Sequence, residues 1–319
     1  MIRLLARRLL FALLVMWVVA TGVFGLYFVA PNNVARTIAG RQATEQTVEL
    51  VRRRLGLDQP IPVQYVRFLG RLTKGDLGFS FVNSQPVMDI VRRDFPITAS
   101  LALGSAVLWL VIGIGAGALA ATRPRSLADR ITTGASLFFY SMPTFLLGQV
   151  FLLFLFYRLT LAGLPIFPPS GYVALSDNPA QWARHLLLPW LTLALVTAAT
   201  YSRLTRGAML DVFGEDYIRT ARSKGISERR VTYRHVLRSA IAPVLTQFGI
   251  DLGVLLGGAV VTEQVFGLPG LGREAVQAIT TEDLPVIMGI ALLASAFVVV
   301  ASIAVDIGYA LVDPRVRVR

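Results

Sequence analysis

The sequence predicts an all-α, polytopic membrane protein with about six transmembrane helices, and three observations carry that prediction. The chain is 55% hydrophobic and only 16% charged, with a mean hydropathy of +0.62, whereas soluble domains carry about a quarter charged residues. Six apolar runs are each long enough to cross about 30 Å of hydrocarbon at roughly 1.5 Å per residue. Arginine is concentrated in alternate short loops, as cytoplasmic loops of membrane proteins require. Backbone groups in lipid must bond within their own segment, so the runs are read as helices; none has the short alternating pattern of barrel strands.

The first span, 9–30, follows Arg3, Arg7 and Arg8. It exceeds a signal-peptide core in length and lacks a small-x-small cleavage site, so it is expected to be retained. The others are expected at 97–121, 131–157, 186–204, 240–262 and 286–310. Arg123, Arg125 and Arg130 lie between spans two and three, a basic run extends from Arg203 to Arg238, and Arg315, Arg317 and Arg319 close the chain. The intervening loops are poorer in basic residues: one has Arg158 and Arg184, and in the other Arg273 is outnumbered by Glu263, Glu274, Glu282 and Asp283. Cytoplasmic N- and C-termini follow. Residues 1–30 then form the first helix, 31–95 an extracytoplasmic insertion, and 96–319 a five-helix core with a cytoplasmic loop at 203–239. The insertion is arginine-rich, but long loops translocate largely regardless of charge. Within it TVELVRRRLGL and VQYVRFLGRL have helical spacing and are separated by Pro60 and Pro62, which predicts a small helical cap.

Several chemistries are excluded. A GxxxxGK[ST] phosphate loop is absent, so the chain has no usual means of binding ATP by itself. The two histidines, His185 and His235, belong to no HExxH pair, there is no cysteine, and no metal site is expected. A GxSxG nucleophile elbow is also missing. The net charge of +12 fits cytoplasmic arginine and membrane lipid, and with no nucleic-acid motif in view no nucleic acid is expected as a partner. Ionisable groups within spans are functional candidates by default: Asp251 in FGIDLGVLL and Asp306 in ASIAVDIGYAL. From polarity alone, Gln149, Gln247 and Asp251 are candidates to line a path.

The stretch EDYIRTARSKG, 215–225, sets a dense block of charge between two apolar spans. Glu215 and Asp216 fall in the first turn of a candidate helix and Arg222 and Lys224 in its last, the order that the helix dipole favours. Gly225 is placed to stop it. About ten residues make a helix of roughly 15 Å, too short and too polar to span. Tyr217 and Ala221 share one face at i, i+4, with Ile218 adjacent, and Ser227 is placed to cap a following helix. Such a helix either lies on lipid headgroups or docks its apolar face into a groove of a soluble partner.

The chain resembles the inner-membrane permease subunits of ATP-binding-cassette importers, in the oligopeptide/dipeptide/nickel branch, and is most similar to the oligopeptide permeases. The resemblance runs through LARRLL, GDLGFSFVNSQPV, FPITASLAL, YSMPTFLLG, HLLLPWLTLAL, YSRLTRGAMLDVFGEDYIRTARSKGISERRV, VVTEQVFGLPGLG and VDIGYALVDPRVRVR. It implies that 215–225 is the EAA loop, whose short coupling helix seats in an ATPase subunit. Gly225 matches the motif glycine and Ala221 its second alanine; Arg219 stands in place of Glu, Thr220 in place of the first Ala, and Arg238 where Pro is usual. The resemblance further implies a second homologous permease subunit, one or two kinds of ATPase subunit carrying ATP and Mg, and an extracytoplasmic substrate-binding protein. This chain would bind no cofactor and catalyse nothing. The binding protein would dock on 31–95, LPIFPPSGY and EQVFGLPGLGREA. Phe266, Gly267, Pro269, Gly270 and Gly272, in the FGLPGLG turn, form either a connector or an outer gate. Nickel or another small solute is the alternative cargo. An ATP-independent transporter using Asp251 and Asp306, or a lipid-bound scaffold, is the alternative class.

Overall fold

The computed structural model describes residues 2–26, 35–36, 44–80, 82–168 and 170–312. In chain order the elements are α1 (Ile2–Phe24), α2 (Glu45–Leu55), α3 (Ile61–Leu72), the strands β1 (Phe79–Ser80) and β2 (Gln85–Pro86), and α4 (Val87–Thr122). Then come α5 (Leu127–Ser141), α6 (Thr144–Leu161), α7 (Pro179–Phe213) and α8 (Asp216–Ser223). One helical turn, Glu228–Arg230, and π-type turns over Val231–Val236 lead into α9 (Leu237–Phe266), followed by α10 (Leu271–Thr280) and α11 (Leu284–Val312).

Among the described residues four helical stretches are long and apolar enough to cross a membrane: Val87–Thr122, Thr144–Leu161, Pro179–Phe213 and Leu284–Ile303. Leu10–Phe24 is apolar but shorter, and span one as predicted runs on past residue 26, outside the described residues. The predicted fifth span lies within α9, thirty residues long. Along α4, Leu103, Val107 and Val111 recur every fourth residue and stand 62%, 60% and 65% exposed, an apolar stripe of the kind that marks a membrane or protein contact.

The predicted span 131–157 is not one helix. Met142 is extended (φ −92°, ψ 122°) and Pro143 is the cap residue before α6, because a residue before proline is pushed out of the helical region by the ring. Pro96, Pro189 and Pro243, by contrast, lie inside continuous helices, as membrane helices tolerate when neighbours satisfy the freed carbonyl.

The chain divides into two units. One comprises Met1–Pro96 with Arg273–Val300. In it Ala20 and Phe24 of α1 pack with Phe68 of α3 and Leu292 of α11; Phe24 meets the Tyr65 ring edge-on at 5.1 Å, and Thr21 shares a 2.6 Å hydrogen bond with the Tyr65 hydroxyl. The helices α2 and α3 form where the insertion was expected to be helical, the first capped by Thr44, which accepts the Thr47 N–H. The two-residue hairpin, with Phe79 opposite Pro86, was not foreseen, and α4 starts from it at Val87. Arg93 forks onto buried Asp94 at 2.7 and 2.9 Å and reaches Glu274 at 3.7 Å. Burial, and then the charge of Asp94, push the Glu274 carboxyl above the usual carboxylate range.

The other unit comprises Ile97–Gly272 with Ala301–Arg319. Here α4 and α7 approach closely: a Cβ at Gly113 would lie 2.4 Å from Tyr201 Cβ, and one at Gly117 would lie 2.5 Å from the Ser202 carbonyl. Small residues four apart permit this backbone contact between membrane helices. Toward one end Ile97, Leu101, Leu186, Leu188, Leu193, Ala259, Phe266 and Leu268 form a core. Toward the other, Ala118, Ala121 and Met209 pack with Ile218, Ala221, Val231, Val236 and Ala240.

Candidate functional site

The charged block folds as its sequence predicts. Gly214 ends α7, Glu215 is the extended residue before α8, Asp216 lies in the first turn and Arg222 in the last. Gly225 takes φ +75° and brings the Ile226 N–H to the Ala221 carbonyl at 3.3 Å. No atom would obstruct a Cβ at Gly225, so the position requires glycine for its backbone conformation alone.

The face that α8 offers is a correction. Its apolar residues were expected to face either lipid headgroups or a partner's groove, but Ile218 is 0% and Ala221 8% exposed, both spent inside this chain on Ala118, Ala121, Met209, Val231 and Val236. Tyr217 does not share their fate: it is 46% exposed, with its hydroxyl 3.0 Å from Ser239 Oγ. Asp216, Arg219, Thr220, Arg222 and Lys224 stand outward with Glu215. The inward stripe therefore anchors α8 to the membrane core, and the outward face is polar and of mixed sign.

Two contacts that sequence reasoning missed hold this end of the unit. Arg222 donates to both carboxylate oxygens of Glu228, at 2.8 and 3.3 Å, with its guanidinium 5.6 Å from the Phe213 ring centre. Arg206 of α7 forks onto Asp129 of α5 at 2.7 and 2.9 Å, and the Arg125 N–H adds a 2.9 Å bond. The segment SLAD, 126–129, carried the signal, since Ser126 caps α5 and an acid three residues on is a capping pattern. The Arg206 guanidinium, then the Arg125 amide, hold the Asp129 carboxyl at about 2, down from 3.8. A depressed carboxylate stabilises the fold above its unfolded value and loses that contribution as pH falls through the folded value. Asp129→Asn is therefore expected to lower the melting temperature of the detergent-purified protein by a near-constant amount above about pH 4 and by progressively less towards pH 2. A difference that persists unchanged at pH 2 would assign the loss to shape and not to the charge.

Of the proposed path residues, Gln247 and Asp251 are brought together: Gln247 donates to Asp251 Oδ1 at 2.9 Å. Asp251 stands midway along α9 and is partly open to the surface of the chain. Tyr201 and Trp109, with ring centres 6.1 Å apart, each bury a polar atom with no hydrogen-bond partner among the described residues. Gln149 is not part of this group. It lies exposed on α6 and its side chain hydrogen-bonds to nothing among the described residues. The Asp306 side chain lies outside the described residues.

The FGLPGLG turn is packed. Gly267, at φ +63°, stops α9, and the Leu268 N–H reaches back to the Glu263 carbonyl at 2.9 Å. Phe266, Gly270 and Gly272 are buried, and Pro269 alone of the five gate candidates is exposed. Glu263 was expected among the loop acids, yet it is 0% exposed within α9. The Thr98 hydroxyl donates to it at 2.6 Å and accepts the Leu271 N–H at 2.9 Å. A Cβ at Gly270 would fall 2.4 Å from the Glu263 carboxylate.

This combination of a membrane core with a short polar helix pinned to it has counterparts. The family described as binding-protein-dependent transport system inner membrane component matches residues 113–318, and its N-terminal companion matches 1–102. The chain belongs to this family. It is thus a permease subunit of an importer, a multi-pass protein of the inner membrane and not an enzyme, and such subunits work with an ATPase and a substrate-binding protein. It is 43% identical to a putative peptide transport system permease of Brucella abortus over 99% of each chain. It is 38% identical to a probable peptide ABC transporter permease of Sinorhizobium fredii over 98% of each. Identity to the glutathione transport system permease GsiC of Escherichia coli K12 is 37% over 99% of each. The MetNI methionine ABC transporter, in an inward-facing crystal form, has a chain that superposes with a TM-score of 0.55 at 21% identity. That match covers 71% of this permease and 97% of the MetNI chain and speaks to the fold alone.

Proposed function

We propose that this permease carries short peptides and forms half of their path, with a second homologous permease subunit forming the rest. One or two kinds of ATPase subunit hold ATP and Mg and seat on α8, the coupling helix, at the cytoplasmic surface; an extracytoplasmic protein delivers the cargo. Both termini are cytoplasmic in this reading, and the chain itself binds no cofactor. The observation that carries the coupling role is the two-sidedness of α8: Ile218 and Ala221 are buried in the permease, while Glu215, Asp216, Tyr217, Arg219, Thr220, Arg222 and Lys224 stand outward for a partner. Movement of an ATPase surface then moves the helix and the spans to which it is pinned, provided that the contact differs between nucleotide states.

Asp251 supports the path. A carboxylate midway along an apolar helix and partly open is costly against lipid, so its neighbour is protein or water. Peptide cargo rests on the relatives named for peptides and for glutathione, itself a tripeptide. The test is reconstitution of the co-purified complex in vesicles with its binding protein. ATP hydrolysis is expected to rise severalfold with di- and tripeptides and not with nickel ions. Stimulation by nickel alone would transfer the assignment to the metal-carrying alternative, and isolation of the chain without an ATPase would end the coupling-helix reading.

A further inference from the structure

Beside α8 lies an open cleft of about 460 Å³, lined by Ser227, Arg229, Arg230, Tyr233 and Arg234. None of the three guanidinium groups forms an ion pair or a side-chain hydrogen bond among the described residues. Glu228, the only acid between Asp216 and Asp251 in the sequence, is turned onto Arg222 and neutralises none of them. Three like charges around one cavity, with no counter-charge, are stable only with an anion or a concentrated ion atmosphere between them.

We propose that this cleft binds the phosphodiester headgroup of an anionic phospholipid. Arg234 precedes Leu237, the first residue of α9, by three residues and Arg230 by seven, which puts the arginines about one and two turns ahead of a thirty-residue apolar helix. Tyr233 among them is 59% exposed. Arginine with an exposed tyrosine at the entry of a membrane helix is the composition of the headgroup layer, and guanidinium forks match phosphate oxygens in pairs. Charge separates this surface from the outward face of α8, where Glu215 and Asp216 stand beside Arg219 and Lys224. A mixed face suits a protein partner, and a face of one sign next to hydrocarbon suits an anionic lipid. The contrast uses the proposed ATPase seat on α8, but the lipid measurement does not depend on it.

The experiment is native mass spectrometry of the purified permease with its co-purifying subunits, titrated with phosphatidylglycerol or phosphatidylcholine. Arg229→Gln, Arg230→Gln and Arg234→Gln are each expected to weaken phosphatidylglycerol retention about fivefold, from about 1 kcal/mol per basic residue at an anionic surface. The triple Gln variant loses it, a triple Lys variant keeps most of it, and Arg219→Gln with Lys224→Gln leaves it unchanged. Equal retention of phosphatidylcholine, or unchanged retention in all Gln variants, overturns the proposal. So does displacement by inorganic phosphate, which would make the ligand soluble, or loss of the ATPase subunit at constant lipid retention, which would make the cleft a protein contact. Failure of transport with lipid binding intact would count against the coupling reading and leave this one standing.

Discussion

Replacing Ile218 by aspartate is expected to abolish import. The side chain is fully buried among Met209, Val231 and Val236, and an unpaired charge there costs about 4 kcal/mol or more. The helix would be released from the permease, and with it the only rigid link proposed between ATPase and spans. Membrane abundance should fall and the remaining protein should hydrolyse no ATP in response to cargo. Ile218→Val, which keeps the stripe apolar, should cost about 1 kcal/mol and leave import near normal. Arg219→Ala provides the contrast: the residue is exposed, with a loose 3.5 Å pairing to Asp216, so abundance should hold while cargo-stimulated ATPase activity drops. Normal import by Ile218→Asp would mean that the buried face is not what fixes α8.

The second large effect is expected at Thr98. Its hydroxyl donates to the fully buried Glu263 and accepts the Leu271 N–H, so Thr98→Val, nearly equal in volume, takes a partner from two buried groups at once. With about 1–3 kcal/mol for each, and more for the charged one, the loss is on the order of 3 kcal/mol or more. Amide exchange at Leu268, Gly270, Leu271 and Gly272 should accelerate at least a hundredfold, and import should fall if the turn acts as the outer gate. Gly272→Ala should act in the same direction through shape, because its Cβ would lie 2.6 Å from Val260 Cα. Unchanged exchange in Thr98→Val would show that other contacts hold the turn.

The fold was legible in sequence because the bilayer imposes long apolar runs, and because Gly225 marks a helix end by a backbone conformation that few other residues adopt. Pro143 marks the break at Met142, yet Pro96, Pro189 and Pro243 leave their helices whole. Proline alone does not say whether neighbours satisfy the freed carbonyl. The inward turn of Ile218 and Ala221 was not legible at all: a short apolar stripe has the same period whether its own chain or a partner covers it. Glu263 was misplaced for a related reason, because a carboxylate beside a glycine-rich loop reads as exposed until the loop is seen to fold over it. Gln247 and Asp251 were candidates from polarity within a span alone, a signal that carries neither their hydrogen bond to each other nor the exposed setting of Gln149.

One feature of α7 bears on how far a small displacement travels. It is a single helix of thirty-five residues, unbroken at Pro189, and therefore about 50 Å long. Trp190 ties its first half to the Ser100 carbonyl at 2.9 Å, Arg206 ties its other end to Asp129, and α8 hangs from its last turn. The close contacts of α7 with Gly113 and Gly117 of α4 fall at Tyr201 and Ser202, nearer its second end. A tilt of about 5° about that contact would sweep the two tips in opposite directions, through roughly 3 Å at the first residue and roughly 1.5 Å at the last, over the lengths that the helix rise sets. A small displacement at the end that carries α8 would thus reach the far end enlarged about twofold.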